Sequence, residues 1–298
     1  MSKKRTLENQ IVSNLKNKIA FSESKHEAKK NLSWGESSYK IYSYDTYNTY
    51  KKECLQFQNW LIKEKQIDKY IKLEDTEKYM NEYLDYCKNN NCSLYTLKMR
   101  KSALGMLVNH SLDYKIDIRH YTDVKRSRKQ VENDKHYSEL GKYKDLFTIM
   151  RSTGGRRSDI EKIKLSDFKY FNNHLIVEIK SSKGGRDRLS VVLNEKEILD
   201  IIEKRKEQNK EYLVDKIPKK IDVHSYRREY CKELYRLVSS DKELKDDLLN
   251  LYPTRTEKVK REYYKDRQNN IFDRDSVYVC TQSLGHNRLN VTVNHYLS

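Results

Sequence analysis

The chain has 298 residues, long enough for two domains with separate cores, and a formal net charge of +17 from 61 Lys and Arg against 44 Asp and Glu. That excess draws polyanions, nucleic acid foremost, although a lysine-rich proteome would produce part of it without a ligand. No apolar run approaches the length of a membrane span, and Met1-Ser2-Lys3-Lys4-Arg5 leads into polar sequence rather than a secretory signal. Five cysteines, odd in number and irregularly spaced, argue against a disulfide framework and for reduced thiols in the cytoplasm. Cys87 and Cys92 are close, but no second Cys/His pair completes a zinc site, and no metal or other cofactor is expected.

Residues 1–40 read as a charged arm with a short helix around 7–19, followed by Lys25, Lys29 and Lys30. From Asp45 the pattern sharpens. Tyr47, Tyr50, Cys54, Phe57 and Leu61 recur at three- and four-residue steps, one apolar helical face behind an Asp45/Thr46 cap. A second helix is expected behind Asp75/Thr76, with Tyr79, Met80, Tyr83, Leu84 and Cys87 inward. A third opens at Ser93 and carries Leu94, Leu97, Leu104 and Leu107, with Lys98, Arg100 and Lys101 on its outer side. Residues 41–122 thus form a small helical domain with a basic flank. Residues 123–137 are polar, basic and without apolar period, which is linker composition; Lys125, Arg126, Arg128 and Lys129 lie there.

Residues 138–298 carry the chemistry. After a helix with Leu146, Phe147 and Met150 comes Thr153-Gly154-Gly155-Arg156-Arg157-Ser158-Asp159-Ile160. A glycine pair permits a tight turn, and an arginine at the mouth of the following helix suits an anionic oxygen. Residues 174–180 and 188–193 read as two strands joined by a turn at 181–185 that contains Lys183-Gly184-Gly185. A helix from Asn194 (Ile198, Leu199, Ile202) leads through charged sequence to His224-Ser225-Tyr226-Arg227, where the i, i+3 spacing projects imidazole and guanidinium from one helical face. Residues 239–275 are heavily charged, with a helix around 244–251 and basic clusters at 258–261 and 265–267; they read as an insertion along DNA backbone. Leu284-Gly285-His286 reads as a helix end in which glycine takes the left-handed turn. Ten residues beyond His286 an amphipathic run reaches Tyr296. A phenol is a poor nucleophile at neutral pH unless cations stabilise its oxyanion.

Each of these segments is common by itself. Their order (arginine box, lysine hairpin, His-x-x-Arg, Leu-Gly-His, tyrosine) resembles that of the tyrosine recombinases, the phage-integrase family. The family's boxes are Thr-Gly-x-Arg-x-Ser-Glu-Leu, a Lys-Gly-x-Lys-x-Arg hairpin and His-x-Leu-Arg-His, and the match carries its catalytic roles onto Arg156, Lys183, His224, Arg227, His286 and Tyr296. Lys180 is the fallback for the general acid. Asp159 stands where the family has an acidic positioning residue, while Tyr226 and Arg228 depart from its second box. The Thr46-x-x-x-Tyr50 and Ser93-Leu94-Tyr95-Thr96 openings resemble the family's core-binding domain.

The resemblance implies a mainly α chain with a small β-sheet: a SAM-like helical core-binding domain and an α+β catalytic domain in a C-shaped clamp on DNA. Lys98, Arg100, Lys101, Lys125, Arg126, Arg128, Lys129, Arg186 and Arg188 would then face the duplex, the hairpin entering the minor groove. It implies a site-specific recombinase of a mobile element, joined to DNA through a 3′-phosphotyrosyl link and passing through a Holliday junction. Its partners would be double-stranded inverted-repeat sites, three further protomers of a tetramer and an accessory directionality factor. It would work in the cytoplasm at the nucleoid. The rivals are a type IB topoisomerase-like relaxing enzyme and a catalytically idle DNA-binding regulator. Two departures stand out. The His286 to Tyr296 interval is one residue longer than the commonest family spacing, and Ser298 leaves almost no tail for exchange with a neighbouring protomer.

Overall fold

A computed structural model describes residues 4–33, 36–116, 141–182, 185–252, 261–266 and 268–297. The chain falls into two compact units, Met1–Ser127 and Arg128–Ser298. The expected linker at 123–137 lies outside the described residues, and so do Lys125, Arg126, Arg128 and Lys129.

The first unit is helical: α1 (Leu7–Lys16), α2 (Lys25–Lys30), α3 (Tyr44–Lys63), a 3-10 segment (Leu73–Tyr79), α4 (Met80–Asn89) and α5 (Leu94–Val108). The segment expected as a charged arm differs from that reading. Leu7, Ile11 and Leu15 recur every fourth residue, and all three are fully buried with Phe57, Leu61, Met80, Leu84 and Leu104. The Leu7 amide donates to the Lys69 carbonyl at 2.7 Å, and Ile19 bridges Ile41. The solvated character expected of an arm belongs to α2, which buries nothing, and to the mostly exposed residues on either side of it. The cap of α3 is Ser43, two residues ahead of the expected Asp45, its hydroxyl accepting the Thr46 amide at 3.2 Å. Asp75 and Thr76 sit inside the 3-10 segment rather than capping α4, whereas Ser93 caps α5 as its sequence predicts.

The basic flank of α5 is largely spent inside the unit. Arg100 donates to Glu53 at 3.0 Å, Gln56 at 2.8 Å and the Cys87 sulfur at 2.9 Å, and Lys101 donates to the Tyr114 carbonyl at 2.8 Å. These two side chains tie helices together, and Lys98 is the member of the trio left exposed.

The second unit opens with α6 (Lys144–Thr153) and the short α7 (Arg157–Ile160). An antiparallel sheet follows, in the order β1 (Phe168–Phe171), β2 (His174–Ser182), β3 (Arg186–Val191). Then come α8 (Glu195–Glu207), α9 (Val223–Ser240) and α10 (Lys242–Leu251). A two-stranded ribbon, β4 (Tyr263–Lys265) and β5 (Ile271–Asp273), precedes α11 (Arg274–Ser283), α12 (Leu289–Thr292) and a π-helical turn (Val293–Leu297). β1 and the ribbon occupy stretches where no strand is expected; at three or four residues they are too short to show a period of two. Two apolar clusters build the core. One gathers Phe147, Met150, Val177, Ile179, Ile198 and Tyr226; the other gathers Ile176, Tyr230, Leu234, Val279, Leu284 and Tyr296. α9 contributes to both, so its buried face lies at the junction of the two.

Among described residues, nine non-glycine positions have positive φ, and six are asparagines: Asn91, Asn109, Asn172, Asn194, Asn209 and Asn269. Glycine takes that conformation at Gly154, Gly185 and Gly285. No described helix is long and apolar enough to cross a membrane.

Candidate active site

The arginine box begins where α6 ends. Gly154 caps the helix at φ 59°, and a Cβ there would lie 2.4 Å from the Tyr230 ring. Both the backbone conformation and the close approach therefore require glycine. The chain then runs extended through Arg156 into α7, and the buried Asp159 carboxylate accepts the Arg156 amide at 3.1 Å. The Arg156 guanidinium donates to Ser182 Oγ at 2.9 Å and lies 3.6 Å from Asp159. Ser182, at the end of β2, donates in turn to the same carboxylate at 3.1 Å. Burial pushes the Asp159 carboxyl up, but Arg188, the Arg156 amide and the Arg156 charge hold it below the usual range.

Arg227 projects from the second turn of α9 and is 0% exposed. A charge so far from water is tolerated only when its donors are occupied. Its Nε is 3.3 Å from Tyr296 Oη, and its two terminal nitrogens donate to the Gly154 and Leu284 carbonyls. One of them also lies 3.4 Å from His286 Nε2. The guanidinium sits 5.5 Å from the centre of the Tyr296 ring, and the His286 and Tyr296 rings are 5.4 Å apart at 45°.

α11 ends as its sequence predicts. Gly285 is left-handed at φ 64°, its amide bonding back to the Gln282 carbonyl at 2.8 Å and that of His286 to Thr281 at 2.9 Å. This pair of bonds is the Schellman motif, and it turns His286 back over the helix end. Burial, then the charges of Arg227, Arg156, Arg188 and His295, lower the His286 pKa to about 3. The imidazole is therefore neutral, and Nε2 accepts from Arg227. Burial, then the charge of Arg227, lowers the Arg156 pKa as well, so the two guanidiniums share one neighbourhood.

Tyr296 is 7% exposed and lies in the π-helical turn. A turn closed by i→i+5 bonds holds one residue more than an α-turn, which fits the extra residue between His286 and Tyr296.

The remaining candidates divide. His224 is exposed on the first turn of α9, one turn before Arg227, with its amide on the Asp222 carboxylate at 3.1 Å. Lys183 lies outside the described residues. The residues flanking it are at the site: Ser182 binds Arg156, and Arg186, exposed, donates to Asn287 at 2.9 Å beside the Leu-Gly-His turn. The fallback Lys180 points elsewhere, 58% exposed and paired with Asp167 at 2.8 Å. Arg188, expected on DNA, is instead 6% exposed and paired with Asp159 at 3.2 Å. Burial and the charge of Arg227 lower its pKa to about 10. Sequence reading missed Ser182, for which no motif signals a role. It also misplaced Arg188, whose shared strand face with buried Ser190 was the available sign.

No family model matches this sequence, and no curated protein matches it. Among solved structures the chain is similar to the XerH site-specific recombinase bound to a palindromic difH substrate in a post-cleavage complex. The identity is 18%, over 99% of this chain and 94% of that chain, with a TM-score of 0.54. It is similar also to XerH bound to difH substrate in a pre-cleavage complex, at 18% identity over 100% and 95% of the two chains, with a TM-score of 0.53. At that identity the likeness is one of fold. Mainly helical with small antiparallel sheets, the chain has the fold of these site-specific recombinase structures over nearly its whole length.

Proposed function

We propose that this chain is a tyrosine site-specific recombinase that cuts and rejoins double-stranded DNA. One observation carries the reading: the Tyr296 hydroxyl lies 3.3 Å from the buried Arg227 guanidinium, with His286 against both and Arg156 near enough to repel Arg227. Two guanidiniums crowded beside a phenol gain from an anion placed between them, and a phosphodiester is such an anion.

In this mechanism Arg156 and Arg227 take the non-bridging oxygens of the scissile phosphate and absorb charge as phosphorus becomes five-coordinate. Tyr296 Oη bonds to phosphorus, its proton passing to His224, while the bond to the 5′-oxygen breaks and Lys183 protonates the departing alkoxide. His286 hydrogen-bonds the phosphate. A 3′-phosphotyrosyl link remains, and attack by a 5′-hydroxyl reverses every step. The exchanged bonds are of one kind, so no external energy source enters. Paired cuts on inverted-repeat sites by a tetramer would exchange strands through a Holliday junction, with an accessory factor setting direction on the nucleoid.

Incubation with duplex DNA from the sequence flanking its gene, followed by denaturing electrophoresis, tests the reading. Wild type is expected to give a covalent adduct with staggered cuts at an inverted repeat, and Tyr296→Phe to bind the duplex without forming one. Adduct from Tyr296→Phe would rule out the assignment. Relaxation of supercoils without site preference would favour a topoisomerase, and site-specific binding without adduct would favour a regulator.

A further inference from the structure

Arg188 reaches three segments from one position on β3. Its guanidinium pairs with Asp159 at 3.2 Å, lies 3.5 Å from the Gly154 carbonyl and donates to the Ser283 carbonyl. Gly154 closes α6 and Ser283 is the last residue of α11, so both carbonyls are the negative ends of helix dipoles. The side chain is fitted closely: a Cβ on Gly285 would lie 2.4 Å from Arg188 Cδ. Its Nε is buried without a hydrogen-bond partner. A charged, incompletely satisfied side chain is a costly way to fill a core, and a leucine or methionine would do that at less expense.

Arg227 spans the same two helix ends. It donates to the Gly154 carbonyl, which Arg188 also approaches, and to Leu284, the residue after Arg188's acceptor Ser283. The two arginines therefore form a double clamp between α6 and α11. They differ in what else they touch: Arg227 meets Tyr296 and His286, whereas Arg188 meets Asp159. A guanidinium has five N–H donors, and those of Arg227 already face Tyr296, Gly154, Leu284 and His286. Four contacts leave one of the five donors, so a two-pronged grip on a phosphate requires Arg227 to give up at least one partner.

We infer that Arg188 is a positioning residue that keeps the ends of α6 and α11 together, so that Arg227 can turn its donors to the phosphate without the site opening, and that Arg188 does not itself contact DNA. The inference rests on the recombinase reading above, because it assigns Arg188 a task within that reaction. Lysine cannot replace it fully, since a point charge on a flexible stem does not hold two carbonyls at a fixed angle.

The test compares wild type with Arg188→Met, which keeps the length of the shaft, and Arg188→Lys, which keeps the charge. Three quantities are read: single-turnover adduct formation at saturating protein on the flanking duplex, affinity for that duplex across salt concentrations, and hydrogen exchange at the Gly285 and His286 amides. Arg188→Met is expected to lower the adduct rate about 100-fold, the scale of a misplaced catalytic geometry. Its affinity should stay within about two-fold and its salt slope unchanged, because no phosphate contact is lost. Protection at Gly285 and His286 should fall, and Arg188→Lys should recover only part of rate and protection.

An unchanged rate overturns the inference. So does weaker binding with the salt slope reduced by about one, the mark of a phosphate contact. If Arg188→Met does not fold, Arg188→Lys carries the same comparisons: a wild-type rate in it overturns the inference and a reduced rate at unchanged affinity supports it. If wild type forms no adduct, the recombinase reading fails separately, and exchange decides for Arg188: retained protection at the two amides refutes its hold on the turn, and lost protection upholds it.

Discussion

His286 shows how neighbours choose a protonation state. Its ordinary pKa of 6.5 falls to about 3 because the ring is largely buried and three arginines and His295 surround it. The consequence for stability has a definite sign. Below about pH 6.5 the unfolded chain takes up a proton that the folded chain refuses, so stability falls as pH drops from 6.5 toward 3 and is full above that window. This one group contributes at most about 1.4 kcal/mol per pH unit, less whatever solvent screening removes at a ring that is not wholly enclosed. Urea unfolding at pH 7.5 and pH 5.5 should show wild type losing more stability than His286→Asn. Equal losses in the two proteins would mean that the imidazole is not held neutral.

At the level of the element, the first helix is the clearest case of a segment whose charge concealed its packing. Lys3, Lys4 and Arg5 ahead of it and Lys25, Lys29 and Lys30 beyond it suggest solvated sequence, yet Leu7, Ile11 and Leu15 lie on one face of α1 and are fully buried. Leu15→Ala should destabilise the first unit by about 2–5 kcal/mol, the range for truncating a buried leucine. Thermal or urea unfolding of the intact chain reads this directly, and a cost below about 0.5 kcal/mol would restore the loose arm. The π-helical turn is the opposite case. Spacing in the sequence showed that a residue had to be accommodated between His286 and Tyr296, but not that a wider turn at Val293–Leu297 would take it.

Over the whole molecule, what the sequence disclosed was what local physics controls. Ser93 caps α5, Leu284-Gly285-His286 closes α11, and the i, i+3 spacing puts His224 and Arg227 one turn apart on α9. What it concealed were the long-range choices. Arg100 turns inward to Glu53, Arg188 inward to Asp159, and Ser182 links β2 to Arg156; no local pattern tells a guanidinium bound for phosphate from one bound for a carboxylate. Backbone handedness adds a separate sorting of residues. Among the described residues asparagine takes six left-handed positions and glycine three, so glycine is not kept for torsion alone. Gly154 and Gly285 are positions where a side chain would strike Tyr230 or Arg188, whereas Gly185, with the same sign of φ, has nothing within 4 Å. Gly185→Asn should therefore leave the free energy of urea unfolding within about 0.5 kcal/mol of wild type, and Gly154→Asn should cost about 1–3 kcal/mol, as overpacking does. At Gly154 and Gly285 the missing methyl marks crowding, and that crowding lies directly behind the tyrosine's arginine and histidine.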